Sequence, residues 1–273
     1  MDPRVAIVTG ASSGIGEATA RRLGEHGFTV YAAARRIERM AGLSDSGIRL
    51  LRLDVTDDES VVACVQRVIG EAGRVDVLVN NAGYGSYGAL EDVPMDEARR
   101  QVEVNLFGLA RLTQLVLPHM RDQRSGCIVN VSSMGGKIYE PLGSWYHATK
   151  FAVEGLSDSL RLELAPFGIH VVVIEPGAIK TEWGTIAADS LLATSGETAY
   201  RDQASRQARL LSSGRLMSSP EVVAEAIVKA VSSSRPRTRY VVGAGARPLL
   251  LARRLLPDRA FDALLMFVFR SAG

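Results

Sequence analysis

The chain has 273 residues, 47% hydrophobic and 23% charged. That is the size and balance of one large α/β domain or two small ones, with enough apolar surface to bury a core without staples. A formal net charge of +2 is too small to argue for a nucleic-acid partner. The two cysteines, Cys64 and Cys127, sit inside apolar patterns, and the histidines (His26, His119, His147, His170) are scattered. Neither a disulfide framework nor a metal site is therefore expected, and a reducing, cytoplasmic compartment fits best.

In chain order, the first apolar run comes within four residues of the start, leaving no room for a signal peptide. That run predicts a strand over Val5–Thr9, followed by a glycine-rich turn and an amphipathic helix over Ile15–His26. A second strand is expected at Phe28–Ala33, a third at Ile48–Leu53, a helix at Asp57–Glu71 and a fourth strand at Val75–Val79. One long helix is predicted over Met95–Met120, then a strand at Cys127–Val131, a helix at Trp145–Pro166 and a strand at His170–Ile174. A helix over Glu221–Ser232 and a strand at Arg239–Val242 complete the series.

Near-continuous apolar strands such as Val-Ala-Ile-Val suit a parallel sheet covered on both faces. Their alternation with helices implies right-handed crossovers and a single doubly wound domain over residues 1–273. Asn130-Val131-Ser132 matches the glycosylation pattern only by chance, since it lies in a predicted buried strand.

Two regions break the rhythm. Trp183–Ser219 is a long polar insertion between the sixth strand and its helix, of the kind that forms a substrate lid (183–219). The tail after Gly245 (246–273) reads as a helical extension mixing a Leu/Phe face with Arg247, Arg253, Arg254, Arg259 and Arg270. Its apolar run Phe261–Phe269 is too short to span a bilayer. Packing on a neighbouring subunit, closure over the substrate cleft and weak peripheral membrane contact all remain open for it.

The turn Thr9-Gly10-Ala11-Ser12-Ser13-Gly14-Ile15-Gly16 directly follows a strand and opens a helix. Glycines there allow close backbone approach to a pyrophosphate, and the helix N-terminus supplies oriented N–H groups. A glycine-rich turn with no ligand is the plainer reading of the same residues. The spacing is Gly-x-x-x-Gly-x-Gly rather than Gly-x-Gly-x-x-Gly, and with it the chain resembles the short-chain dehydrogenase/reductase family over nearly its whole length. The resemblance also rests on Asp54-Val55, Asn80-Asn81-Ala82-Gly83, Asn105, Ser133, Tyr146-His147-Ala148-Thr149-Lys150, and Pro176-Gly177 followed by Thr181. It implies a Rossmann-type sheet of order 3-2-1-4-5-6-7 and a dinucleotide cradled by Gly10, Ser12, Ser13, Gly14, Ile15, Gly16, Asn81, Ala82 and Gly83. It further implies that Asp54 and Val55 hold the adenine ring and Asn81 the adenine ribose. Pro176, Gly177 and Thr181 would lie at the nicotinamide end, with Thr181 on the carboxamide.

An acidic residue after the second strand would bind a ribose 2′-hydroxyl, whereas this chain reads Ala34-Arg35-Arg36 with no carboxylate until Glu38. Two guanidiniums there suit a 2′-phosphate, so NADP(H) is expected, with Ser13 able to add a hydroxyl contact. The alternative for Arg35 and Arg36 is a solvated surface pair.

Tyr146 and Lys150 stand four apart on a predicted helix and so share a face. Deprotonating a phenol of pKa about 10 at neutral pH costs about 4 kcal/mol, and a nearby ammonium lowers that cost. Tyr146 can then act as acid/base toward a hydroxyl or carbonyl. Ser133, thirteen residues earlier, is placed to hold the reacting oxygen. By the resemblance, Lys150 also holds the nicotinamide ribose, and Asn105 opens its helix for a proton-relaying water.

Met134, Tyr139, Pro141, Leu142, Trp145, Tyr84, Tyr87 and Trp183 would give an apolar, aromatic lining suited to a lipophilic alcohol or ketone. The stretch from Gly135 to Trp183 and the tail resemble the hydroxysteroid- and retinol-dehydrogenase-like branch, and the resemblance implies homodimers or homotetramers. The expected function is thus an NADP(H)-dependent oxidoreductase. A non-enzymatic NADP(H)-sensing or scaffold protein on the same fold is the alternative.

Overall fold

The computed structural model describes residues 3–213 and 217–271. The parts of the expected domain, lid and tail that fall on 1–2, 214–216 and 272–273 lie outside the described residues. Seven strands form one parallel sheet: β1 (Val5–Thr9), β2 (Thr29–Ala34), β3 (Arg49–Arg52), β4 (Val77–Asn80), β5 (Gly126–Val131), β6 (Ile169–Pro176) and β7 (Arg239–Val242). Their order is β3-β2-β1-β4-β5-β6-β7, as expected.

Side chains alternate across each strand, and the sequence uses both faces. Ala6, Val8, Val30 and Ala32 pack under helices α1 (Gly14–Glu25) and, with the short α2 (Ala41–Ser44) between, α9 (Glu221–Val231). Val5, Ile7, Tyr31 and Ala33 pack on the other side with helices α3 (Asp58–Ala72) and α5 (Gly108–Gln123). Order reverses between β1 and β4, so their C-terminal ends diverge and leave a crevice, the usual ligand site of such sheets.

Two local features differ from expectation, and the expected helical tail shows what it packs against. The helix predicted over Met95–Met120 is α4 (Met95–Val102) and α5 joined by a π-turn at Glu103–Phe107. Apolar periodicity runs through both parts and does not register the extra residue. The polar insertion is folded as two helices, α7 (Glu182–Ser195) and α8 (Arg201–Ser212). They meet through Ala187, Ala188 and Leu191 against Ala204 and Ala208, a third core closed by Tyr87, Leu142 and Tyr146. The tail forms α10 (Ala246–Leu255) and α11 (Asp258–Ser271). Its Phe261 is fully buried, and the Tyr139 ring packs edge-on 5.8 Å from it. Tyr139 also donates a hydrogen bond of 2.7 Å to Asp262. The tail therefore packs on the loop after β5. No helix of the described residues is long and apolar enough to cross a membrane. Asn130 is fully buried and bonded to Asn80 and Ser157, in keeping with a chance match to the glycosylation pattern.

Candidate active site

The crevice begins at the glycine turn. Gly10 and Gly14 take φ of +65° and +56°, which only glycine adopts without strain. A Cβ on Gly16 would stand 2.3 Å from the Gly10 carbonyl oxygen and 2.6 Å from the Asn81 amide nitrogen. The start of α1 is therefore drawn against the turn. Ser13 is its N-cap residue, yet its side chain makes no capping bond. The first N–H groups of α1 are thus not satisfied by a side-chain cap, which is what an anion site requires.

The Thr9 hydroxyl accepts from the backbone N–H groups of Asn81 and Ala82, both at 3.0 Å, and donates to Val79. The Asn81 amide donates to the Thr9 carbonyl at 2.9 Å. These bonds stitch β1 to β4 and lay Asn81-Ala82-Gly83 beside Gly10. Thr9 was not singled out as a site residue; its signal was its place at the strand end before the glycine turn.

Arg35 and Arg36 are exposed just beyond β2, and Asp54 lies after β3. One Asp54 oxygen accepts from the Thr56 N–H and hydroxyl, at 3.0 and 2.8 Å. Burial opposes the Asp54 charge, but the Thr56 bonds and the Arg35 charge outweigh it and hold the carboxyl below its ordinary range. Glycine turn, arginine pair and Asp54 thus set an uncapped helix start, two exposed guanidiniums and a carboxylate acceptor along one edge of the sheet.

The other end of the crevice is built by β5 and α6 (Ser144–Leu164). Tyr146 and Lys150 emerge on the same helix face, 7% and 8% exposed. Lys150 Nζ donates to the Val131 carbonyl at 2.9 Å and sits 5.9 Å from the Tyr146 ring centre. The Ser133 hydroxyl lies near enough to the Tyr146 phenol to favour its ionised form, and accepts from the Gly135 N–H at 3.0 Å. Ser132 is buried on the opposite side of the strand, as alternation requires. Burial pushes the Tyr146 phenol up to about 12, against the opposing influence of Ser133. Burial brings the Lys150 ammonium down to about 8, opposed by the Glu154 charge. At neutral pH the phenol keeps its proton, so the arrangement is poised to donate one to an oxygen held between Ser133 and Tyr146.

His147 turns away from the crevice and holds the loop that carries Ser133. Its Nε2 accepts from the Glu140 N–H at 3.0 Å, so the proton resides on Nδ1, which donates to the Gly135 carbonyl at 2.9 Å. Asn105 occupies the π-turn. Its amide accepts from Tyr84 N–H at 3.0 Å and donates to the Tyr84 carbonyl and the Thr149 hydroxyl at 2.9 and 3.2 Å. A Cβ on Gly83 would lie 3.1 Å from the Asn105 Oδ1 and 3.8 Å from Lys150 Nζ, so these three residues converge. π-turns often mark functional positions because they release backbone groups from the helical ladder.

Helix α7 closes the assembly. Thr181 caps α7 by accepting from the Trp183 N–H at 3.3 Å, and its methyl lies 2.9 Å from the Cβ position of Gly14. Glu182 is salt-bridged to Arg39, tying α7 to the segment after β2. The Trp183 indole lies 5.0 Å from the Tyr146 ring and 5.9 Å from the Tyr87 ring. A Cβ on Gly85 would be 2.4 Å from that indole. Gly85→Ala should therefore push Trp183 off Tyr146, raising acrylamide quenching of tryptophan fluorescence and costing about 1–3 kcal/mol of stability. Unchanged quenching would mean that the indole is held elsewhere.

The predicted lining is only partly assembled. Tyr87, Leu142 and Trp183 gather around Tyr146. Tyr139 instead faces the tail, Tyr84 bonds Glu97 at 2.9 Å, and Trp145 lies with Met95, Val102 and Phe107 on the outer side of α4. Gly177 gives its N–H to Val242 at 2.8 Å, and a Cβ there would strike the Ala244 carbonyl at 2.1 Å. Its observed contacts pack β6 against the end of β7.

The family described as short chain dehydrogenase matches residues 4–189. A 3-ketodihydrosphingosine reductase of Bacteroides thetaiotaomicron is 38% identical over 260 residues, spanning 94% of this chain and 95% of that protein. An NADPH-dependent 3-dehydrocapnine reductase of Ornithobacterium rhinotracheale is 34% identical, spanning 95% of both chains. Among solved structures, a short-chain dehydrogenase from Streptomyces avermitilis superimposes with a TM-score of 0.83 at 35% identity, covering 100% of this chain and 99% of that one.

Proposed function

The chain belongs to the short-chain dehydrogenase/reductase family, and on that premise we propose that it is an NADP(H)-dependent reductase of a lipophilic ketone, interconverting carbonyl and hydroxyl. The observation that carries this reading is the Tyr146 phenol buried beside Ser133 with Lys150 behind it, under the aromatic cover of Tyr87 and Trp183. Ser133 orients the carbonyl oxygen and Tyr146 protonates it. Lys150 supplies the positive charge that stabilises the phenolate left behind, and Asn105 keeps the π-turn open beside it. The cofactor, when bound, supplies the hydride. Gly10, Ser12, Ser13, Gly14, Ile15 and Gly16 seat its phosphates, while Asp54, Val55, Asn81, Ala82 and Gly83 line its adenosine half. Pro176, Gly177 and Thr181 border its nicotinamide half, Lys150 holding the ribose. A protonated phenol suits the reductive direction, and both relatives described above are named as reductases.

Arg35 and Arg36 select the 2′-phosphate. NADPH should bind at least about tenfold more tightly than NADH, since a charge-assisted contact contributes roughly 1.5–3 kcal/mol. Arg35→Ala together with Arg36→Ala should shrink that gap, measured by titration of reduced-cofactor fluorescence. Equal affinities in the unaltered protein would refute the cofactor reading. The activity itself is tested by NADPH consumption against 3-ketodihydrosphingosine, steroid ketones, retinoids and acyl thioesters. Tight cofactor binding with no oxidation on any of them would favour a sensing or scaffold role.

The assembly proposed is a homodimer or homotetramer through the apolar face left by Phe107, Phe151 and Leu162, which are 54%, 45% and 72% exposed. Two buried, unpaired thiols accord with a reducing cytoplasm. Leu251 and Leu255 project from α10 beside Arg247 and Arg254, a surface suited at most to weak contact with an anionic membrane.

A further inference from the structure

Behind the catalytic helix face lies a group of buried acids that the reaction as described does not use. Glu154, one turn beyond Lys150 on α6, and Glu175 of β6 are 3% and 2% exposed. Both carboxyl groups lie on the Arg239 Nε, at 3.0 and 3.4 Å, yet Oε1 of each lacks a hydrogen bond among the described residues. Ser132 Oγ, equally buried, also has no partner there. The Ser132 and Glu154 side chains meet over Gly136. A Cβ on that glycine would lie 2.7 Å from Ser132 Oγ, 2.9 Å from Glu154 Cγ and 3.0 Å from the Lys150 carbonyl oxygen.

The cations around this cluster are unevenly shared. Lys137, from the loop after β5, pairs with Glu154 at 3.2 Å. Arg239 of β7 uses a single group, Nε, for both acids, at 3.0 Å to Glu154 and 3.4 Å to Glu175. Its other arm goes to Asp158 at 2.8 Å, which Arg161 also pairs. Glu175 thus has no cation of its own. Two carboxylates buried in contact repel each other, and two acceptor oxygens facing without a donor are costly. One proton between them relieves both penalties. Burial, with the Glu154 charge adding, correspondingly pushes the Glu175 carboxyl up to about 7.

We propose that Glu154 and Glu175 share one proton at neutral pH and act as positioning residues that set the charge state of Lys150. The proposal rests on the reductase reading for its kinetic part, but not for the shared proton itself. Losing the shared proton adds a negative charge to the pair whose Glu154 member acts on Lys150. The ammonium is then favoured, so the lysine holds its proton to higher pH than burial alone would allow. The coupling widens the range over which Tyr146 keeps a cationic neighbour.

The experiment pairs two measurements on the full chain. Infrared pH-difference spectra of the ligand-free protein should show a protonated carboxyl that disappears near pH 7. This band should be missing in Glu175→Gln and retained in Glu175→Asp. In ketone reduction, Glu175→Gln should move the alkaline limb of the kcat profile down by about half a unit or more, with KM for NADPH within about twofold. A spectrum without any protonated carboxyl above about pH 5.5, where ordinary carboxylates are ionised, would overturn the shared proton. An unmoved alkaline limb in Glu175→Gln would overturn the link to Lys150. If no ketone is reduced at all, the reductase reading and the link to Lys150 fall together, while the infrared titration still decides the pair.

Discussion

Tyr146→Phe should lower kcat by about 10²–10⁴-fold, the range that one positioned acid/base contributes, while cofactor affinity stays within about twofold. The phenyl ring keeps its place between Tyr87 and Trp183, whose ring centres lie 5.7 and 5.0 Å away. What disappears is the hydroxyl beside Ser133. A single hydrogen bond contributes about 0.5–1.5 kcal/mol, so the melting temperature should move little. The loss should be in kcat rather than in KM, because the proton moves only on the way to the alcohol. The measurement is NADPH consumption on a working ketone, with cofactor titration and thermal denaturation as controls. Full activity in the phenylalanine variant would remove the proposed acid.

Gly16→Ala should have the largest effect on folding, about 3 kcal/mol or more. Its methyl would enter within 2.3 Å of the Gly10 carbonyl, a backbone atom in the tightest part of the turn. Neither the turn nor the start of α1 can retreat without breaking the Thr9–Asn81 bonds that join β1 to β4. Gly70 supplies the contrast. It lies within α3 with nothing inside 4 Å of its Cβ position, so Gly70→Ala should stabilise by about 0.5–1 kcal/mol through helix propensity. Denaturant unfolding of the two variants decides the matter. Equal behaviour would mean that the glycine turn is looser than its contacts indicate.

The strands were legible because a parallel sheet covered on both faces demands unbroken apolar runs, and Val5–Val8 or Val171–Ile174 admit no other placement. Tyr146 and Lys150 were legible because a spacing of four on a helix fixes their common face. The π-turn at Asn105 was not, since one additional backbone residue leaves no mark on hydrophobic periodicity. The lid helices were hidden for another reason. They meet through alanines, Ala187 and Ala188 against Ala204 and Ala208, small residues that a polar segment does not advertise. Proximity in sequence to Tyr146 suggests Tyr139 and Trp145 for the lining, and a strand-end loop suggests Tyr84. Their true directions depend on the tail, on Glu97 and on the outer face of α4, none of which sequence neighbours reveal. The His147 clamp on Gly135 and Glu140 is likewise a contact between loop ends that only the folded chain brings together.

The lid indole has a practical consequence. The chain contains only two tryptophans: Trp183 covers the Tyr146 phenol, while Trp145 lies with Met95, Val102 and Phe107 outside the crevice. With Trp145 replaced by phenylalanine, indole emission would therefore originate at the covered end of the crevice alone. Opening of the lid, arrival of a ligand or energy transfer to a reduced nicotinamide would each alter that light directly, giving an optical assay that needs no label and no known substrate.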